Sequence, residues 1–187
     1  IMDQLISACG VAGHVLFIDC RNLEIQPVAL SDGLSVIVLD TKTRRGLVDS
    51  PYNERHSQCK EASRILGKSL LREVSLAELE AQTSRLNPLL YRRANHVITE
   101  NKRVKQAAEA MRTNDLILLG QLLQESHTSL RDNFEVSNST LDAMVDCALT
   151  APGCLGARMT GAGFGGCAVA VVEAEQERGF VNVVRDC

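Results

Sequence analysis

Arg158-Met159-Thr160-Gly161-Ala162-Gly163-Phe164-Gly165-Gly166-Cys167 lies between two apolar runs, and the nature of those runs settles the architecture. Four of the six residues from 161 to 166 are glycine, so the backbone there can adopt positive φ and approach another group closely. Loops of this kind commonly present N–H groups to a phosphate. The spacing also satisfies Gly-x-Gly-x-x-Gly, but the dinucleotide fingerprint needs a strand before the loop and a helix after it. Here Cys-Ala-Val-Ala-Val-Val at 167–172 follows, an apolar run that reads as a buried strand. Leu155 to Met159, before the loop, is strand-like too. The loop joins two strands, which removes the context a nicotinamide site requires. A phosphate-compatible loop and a structural hairpin turn both remain open on these residues alone.

Upstream, His14 to Asp19 carries Val-Leu-Phe-Ile and reads as a strand, as do Leu23 to Leu30 and Leu34 to Asp40. Pro27 marks the second of these as an edge or bulged strand, and Ser31-Asp32-Gly33 is a turn. The polar stretch from Thr41 to Pro51 reads as a loop. Helices then dominate. Asn53 to Leu66 is one; Ser75-Leu76-Ala77-Glu78 is a capping box; Asn87-Pro88 opens a long helix to Met111. Asn114 is placed to cap the next helix, and Asn138 precedes another that Pro152-Gly153 ends. A final helix starts near Glu175, and Ile1 to Ala8 forms a short one. Strands are segregated from helices, which predicts an α+β fold with helices on one face of a mainly antiparallel sheet.

The chain has 187 residues, 45% of them hydrophobic and only 3% aromatic, so the core is expected to be aliphatic. A net charge of −3 gives no basic face for nucleic acid. No stretch approaches the ~18 apolar residues of a membrane span, and no signal-peptide pattern is visible. The seven cysteines (9, 20, 59, 147, 154, 167 and 187) are odd in number and lack a Cys-x-x-Cys pair. They are expected to be buried free thiols of a reducing, cytoplasmic setting. His56-x-x-Cys59 has no second ligand pair, so no metal site is expected. The sequence starts at Ile1 and stops at Cys187 inside a helical pattern, as a fragment of a longer polypeptide would.

Individual side chains leave their roles open. Asp3, at the start of the first helix, suits either the helix dipole or a general base. Tyr52 could contact a ligand or tie down the loop after Pro51. His127 and Arg131 share a helix face, as an anion clamp or a surface pair. Arg92, Arg93, Lys102, Arg103 and Lys105 read as a solvated basic face.

Taken in order, Ile1-Met2-Asp3-Gln4, Gly13-His14, Asp19-Cys20-Arg21-Asn22-Leu23-Glu24, and Tyr52-Asn53-Glu54-Arg55 with Gln58-Cys59 resemble galactokinases. So do Arg92-Arg93-Ala94-Asn95-His96-Val97 with Glu100-Asn101, and Ser126-His127-Thr128-Ser129-Leu130-Arg131-Asp132. The glycine loop is similar to the third motif of the GHMP small-molecule kinase superfamily. The resemblance covers nearly the whole chain and only the C-terminal half of that family.

The resemblance implies ATP-dependent phosphorylation of galactose at its anomeric hydroxyl. Asp3 matches the catalytic aspartate and Tyr52 a sugar-contacting tyrosine. Gly161, Ala162, Gly163, Phe164, Gly165 and Gly166 would lie near the ATP phosphates. The family's first two motifs and the expected Mg2+ ligands belong to the absent half, so the isolated 187 residues are expected to be inactive. The implied fold is a ferredoxin-like C-terminal domain with additional helices at 33–187, truncated at its end, after a remnant of the N-terminal domain at 1–32. Kinases of N-acetylgalactosamine, and regulatory sensors that bind galactose and ATP without turnover, share the matched residues. Galactose and ATP are the implied partners, with no nucleic acid and no membrane; the oligomeric state is not specified.

Overall fold

The computed structural model describes residues 2–43 and 50–187, with the side chains of Met2, Asp3 and Ser50 outside that description. Helix α1 (Met2–Cys9) leads into an antiparallel hairpin of β1 (His14–Asp19) and β2 (Glu24–Ala29). Pro27 stands opposite Leu16 in that hairpin and needs no ladder donor on β2's outer side, as an edge proline should not. β3 (Leu34–Asp40) leaves the hairpin and joins a second sheet with β4 (Cys154–Met159) and β5 (Cys167–Glu173), in the order β3-β5-β4, antiparallel throughout.

Between β3 and β4 runs a helical block: α2 (Ser50–Ile65), α3 (Leu76–Ala81), α4 (Pro88–Arg112), α5 (Leu116–Ser129) continuing into a π-turn at Leu130–Phe134, and α6 (Ser139–Thr150). α7 (Glu177–Asp186) follows β5. From β3 onward the order is the β-α-β-β-α of a ferredoxin-like domain, with the extra helices inserted between β3 and β4. Among the described residues no helix is long and apolar enough to cross a membrane.

The caps explain the helix starts. The capping box at Ser75 and Glu78 is formed, Asn87 caps α4 with Pro88 at its first position, and Asn138 caps α6. The cap of α5 is Asp115, which accepts from Leu118 N–H at 3.0 Å, whereas the expected Asn114 takes a left-handed φ of 57° one residue earlier. Asparagine tolerates that conformation, so the two residues divide the turn and the cap between them. α2 begins at Ser50 rather than Asn53, and Tyr52 lies in its first turn rather than in a loop. The remainder of the expected loop, 44–49, falls outside the described residues.

One sheet face buries Leu39, Ala157, Ala168, Ala170 and Val172 against Val145 and Ala148 of α6 and Phe180 of α7. The alanines let the helices approach closely. α5 lies still nearer to β4: a Cβ on Gly120 would sit 2.0 Å from Leu155 O, and one on Gly156 would sit 2.6 Å from Gly120 O. A second cluster joins α2, α3 and α4 through Ala62, Leu66, Leu79, Leu90 and Ala94.

The expectation of seven buried free thiols is corrected. Cys147 on α6 and Cys187 after α7 form a disulfide across 40 residues of sequence, and Cys9 and Cys20 are exposed. Cys147 lies on the buried face of α6, but the packing of α7 on α6 that brings Cys187 to it is a tertiary fact.

Candidate functional site

The glycine loop closes the β4–β5 hairpin, with Thr160 N–H donating to Cys167 O at 2.9 Å. Gly161, Gly163, Gly165 and Gly166 all have positive φ. Gly163 is confined on two counts, because its φ is 81° and a Cβ there would lie 2.2 Å from Val136 O. Phe164 adopts φ 62° although it is aromatic, a strained conformation for a bulky residue. Packing offsets that strain: its ring lies against the cluster of Leu130, Val136, Leu141 and Met159, and the Arg55 guanidinium sits 5.9 Å from its centroid.

Both sides of the loop are tied down. Phe164 N–H donates to Val136 O at 2.6 Å, just beyond the π-turn. On the other side, Gly166 N–H donates to Thr43 O, while the backbone N–H and the hydroxyl of Thr41 both donate to Gly166 O. The N–H groups of Gly161 and Ala162, at the exposed tip, have no protein partner among the described residues. Such a fixed loop with outward donors suits an anion.

Arg55, on α2, joins the helix to this end of the sheet. Its Nε donates to Phe134 O at 2.6 Å and its Nη2 to Glu135 O at 3.0 Å. Tyr52 lies one turn before Arg55 on the same helix face and is 61% exposed. The glycine loop and Tyr52's helix are therefore held to one framework, with the tyrosine open to solvent. Asp3 lies on α1, and its carboxylate is outside the described residues.

Behind the loop lies a polar layer. Arg93, read from the sequence as part of a solvated face, is 1% exposed and donates to Gln58, to Asn133 O and to Glu135. It falls on the same side of α4 as Leu90, Ala94 and Val97, a spacing that could have flagged it. Lys102 and Lys105 do face solvent. His96 stacks on Phe134 with centroids 4.5 Å apart, accepts or donates through Nδ1 to Ser129, and is held by burial at a pKa of about 4. Glu100 is pushed up by burial, but donors from Ser126 and Arg103 and the charge of Arg158 outweigh that, leaving its carboxyl below the usual range.

His127 and Arg131 form neither an anion clamp nor a surface pair. His127 is 3% exposed; its Nδ1 accepts from Met159 N–H at 3.3 Å, and its Nε2 lies 3.3 Å from Asp142, off the line of a hydrogen bond. Burial lowers its pKa. Arg131 turns away to Asp132. Among the described residues no cluster of three His, Cys, Asp or Glu could hold a metal ion.

Against known proteins, a family model described as GHMP kinases C terminal matches residues 107–185. A galactokinase of Chloroflexus aggregans is 48% identical over 97% of this chain, and one of Bos taurus is 51% identical over 93%. The chain spans about half the length of these curated relatives, 48% and 45% respectively. Among solved structures, Lactococcus lactis galactokinase complexed with galactose superposes with a TM-score of 0.92 at 35% identity, over 98% of this chain and 49% of that one.

Proposed function

We propose, from the match of residues 107–185 to the C-terminal domain of GHMP kinases, that the chain is the C-terminal half of an enzyme transferring a phosphoryl group from ATP to the anomeric hydroxyl of galactose. The observation that carries this is the likeness of fold to the Lactococcus lactis galactokinase over 98% of the chain. The glycine loop, with its fixed backbone and free donors at Gly161 and Ala162, supports a place beside the nucleotide phosphates.

In this reading Asp3 takes the proton of the anomeric hydroxyl or orients that hydroxyl for attack. Tyr52 contacts the sugar. Phosphoryl transfer depends mainly on positioning and on neutralising charge, so the loop's task is to hold its N–H groups still. Mg2+ belongs to the same reading of the full-length protein; the described residues hold no cluster of three His, Cys, Asp or Glu for it. The proposed domain boundary at Ser31-Asp32-Gly33 is supported by the change of sheet there, since β2 pairs with β1 and β3 with β5. A cytoplasmic site of action belongs to the same reading.

The test is sugar-dependent release of ADP by the full-length protein, comparing galactose, N-acetylgalactosamine and glucose. Galactose-dependent turnover is expected, with Asp3→Asn slowing it by about 10²-fold or more, the scale of a lost general base. Preference for N-acetylgalactosamine would replace the substrate. Sugar binding without turnover would replace the enzyme by a sensor.

A further inference from the structure

Four consecutive carbonyls end the α5 helix and its π-turn, and a group from elsewhere in the chain holds each of them. Asn133 O accepts from Arg93, Phe134 O and Glu135 O accept from Arg55, and Val136 O accepts from Phe164 N–H. Carbonyls at a helix end lack partners within the helix and attract cations. What orients those cations is the side chain in their midst. The Glu135 carboxylate accepts from Arg92 at 2.7 Å and from Arg93 at 2.7 Å, and lies 3.9 Å from Arg55 Nη2. Arg93 is almost fully buried, so loss of its counter-charge would leave a desolvated cation unpaired. The bond from Arg93 above all keeps the Glu135 carboxyl below its usual range.

The same residue bends the chain. Glu135 adopts a left-handed φ of 54° and ψ of 50°, and Val136 N–H then returns to Leu130 O at 3.0 Å. That turn aims Val136 O at the strained Phe164.

We propose that Glu135 is a positioning residue for the glycine loop: its carboxylate sets the arginines, the arginines set the carbonyls at 133–135, and the turn so fixed delivers Val136 O to Phe164 N–H. This rests on the loop's proposed place beside ATP, and it assigns Glu135 no contact with substrate.

The experiment uses the full-length protein carrying Glu135→Gln, which keeps size and removes charge. Hydrogen exchange at the Phe164 amide should rise about tenfold or more, as loss of one charge-assisted bond implies. The KM for ATP should rise by a similar factor while the KM for galactose stays within about twofold, and Glu135→Asp should restore part of both. Unchanged exchange at Phe164, or a uniform rise across β4 and β5, overturns the proposal. Should Glu135→Gln fail to fold, Arg55→Lys keeps a cation and loses the paired donation to 134 and 135; a loop that exchanges at the original rate in that variant overturns it equally. Exchange is read without sugar or nucleotide, so it decides the matter even if galactose turnover is not found.

Discussion

The two faces that meet at the β4–β5 hairpin are built on opposite principles. The helix-covered sheet face and the helices on it bury alanine, valine, one leucine and one phenylalanine, all between 0% and 8% exposed, and any side chain there touches several interchangeable neighbours. The loop end of the same sheet is held by directed polar contacts between particular donors and acceptors: Arg55 to two carbonyls, Arg93 to a third, Met159 N–H to His127. The apolar face can lose a contact and repack; the polar end cannot, because an abandoned buried donor or charge finds no substitute. The contrast teaches that stability and geometry are assigned to different halves of one small sheet.

The largest blow to the apolar half is Phe180→Ala, which empties a site of 0% exposure on α7. It should cost about 3–5 kcal/mol, read by urea unfolding of the full-length protein, while the KM for ATP stays near its original value. An altered KM with unchanged stability would collapse the distinction between the halves.

Acid separates them next. His96 is neutral in the folded state, with a pKa of about 4 against 6.5 in the unfolded chain. Its contribution is complete above pH 6.5, is lost as pH falls toward 4 and levels off below, amounting to about 3 kcal/mol. His127 shifts in the same direction. Chemical denaturation from pH 7.5 to 4.5 should show that decline, and His96→Gln should flatten it. A curve as steep in the variant would place the sensitivity elsewhere.

Reducing the Cys147–Cys187 link, which closes a loop of 40 residues, should cost roughly 2–4 kcal/mol and leave the glycine loop's exchange rates alone. Thermal unfolding with and without dithiothreitol checks this, and a titration finding seven free thiols in the native protein would remove the link altogether. At the small end, Arg64→Ala breaks an exposed pair with Glu61 on α2 and should not move the unfolding midpoint measurably.

The apolar half was legible in the sequence because periodicity encodes it. The continuous apolar run at 167–172 and the helices opened at Asn87 and Asn138 put Ala168, Ala170, Leu90 and Val145 on buried elements, where they are found. Caps with a local mechanism, at Ser75, Asn87 and Asn138, were legible for the same reason, and the Asn114–Asp115 slip shows the limit of one residue. The polar half was not: the spacing of Arg93 with Leu90 and Val97 can flag an inward side chain, but no local pattern names the carboxylate 42 residues away that it meets. The glycine loop could be found from its composition, but its anchors at Val136, Thr41 and Thr43 could not, because, the Thr41 hydroxyl apart, those bonds are made by backbone atoms that every residue carries.

The grip of Arg55 on Phe134 and Glu135 spans 79 and 80 residues, and this bears on the order in which the molecule assembles. Closing so long a chain segment is costly before its contacts repay it. Local elements such as the capped helices can form early, whereas the framework of the loop must wait for α2, α4 and the π-turn to converge. On unfolding, the sequence should reverse. Sub-global opening would then release the glycine loop while the alanine-faced sheet is still intact, so the part of the chain that matures last would also be the first that heat or denaturant silences.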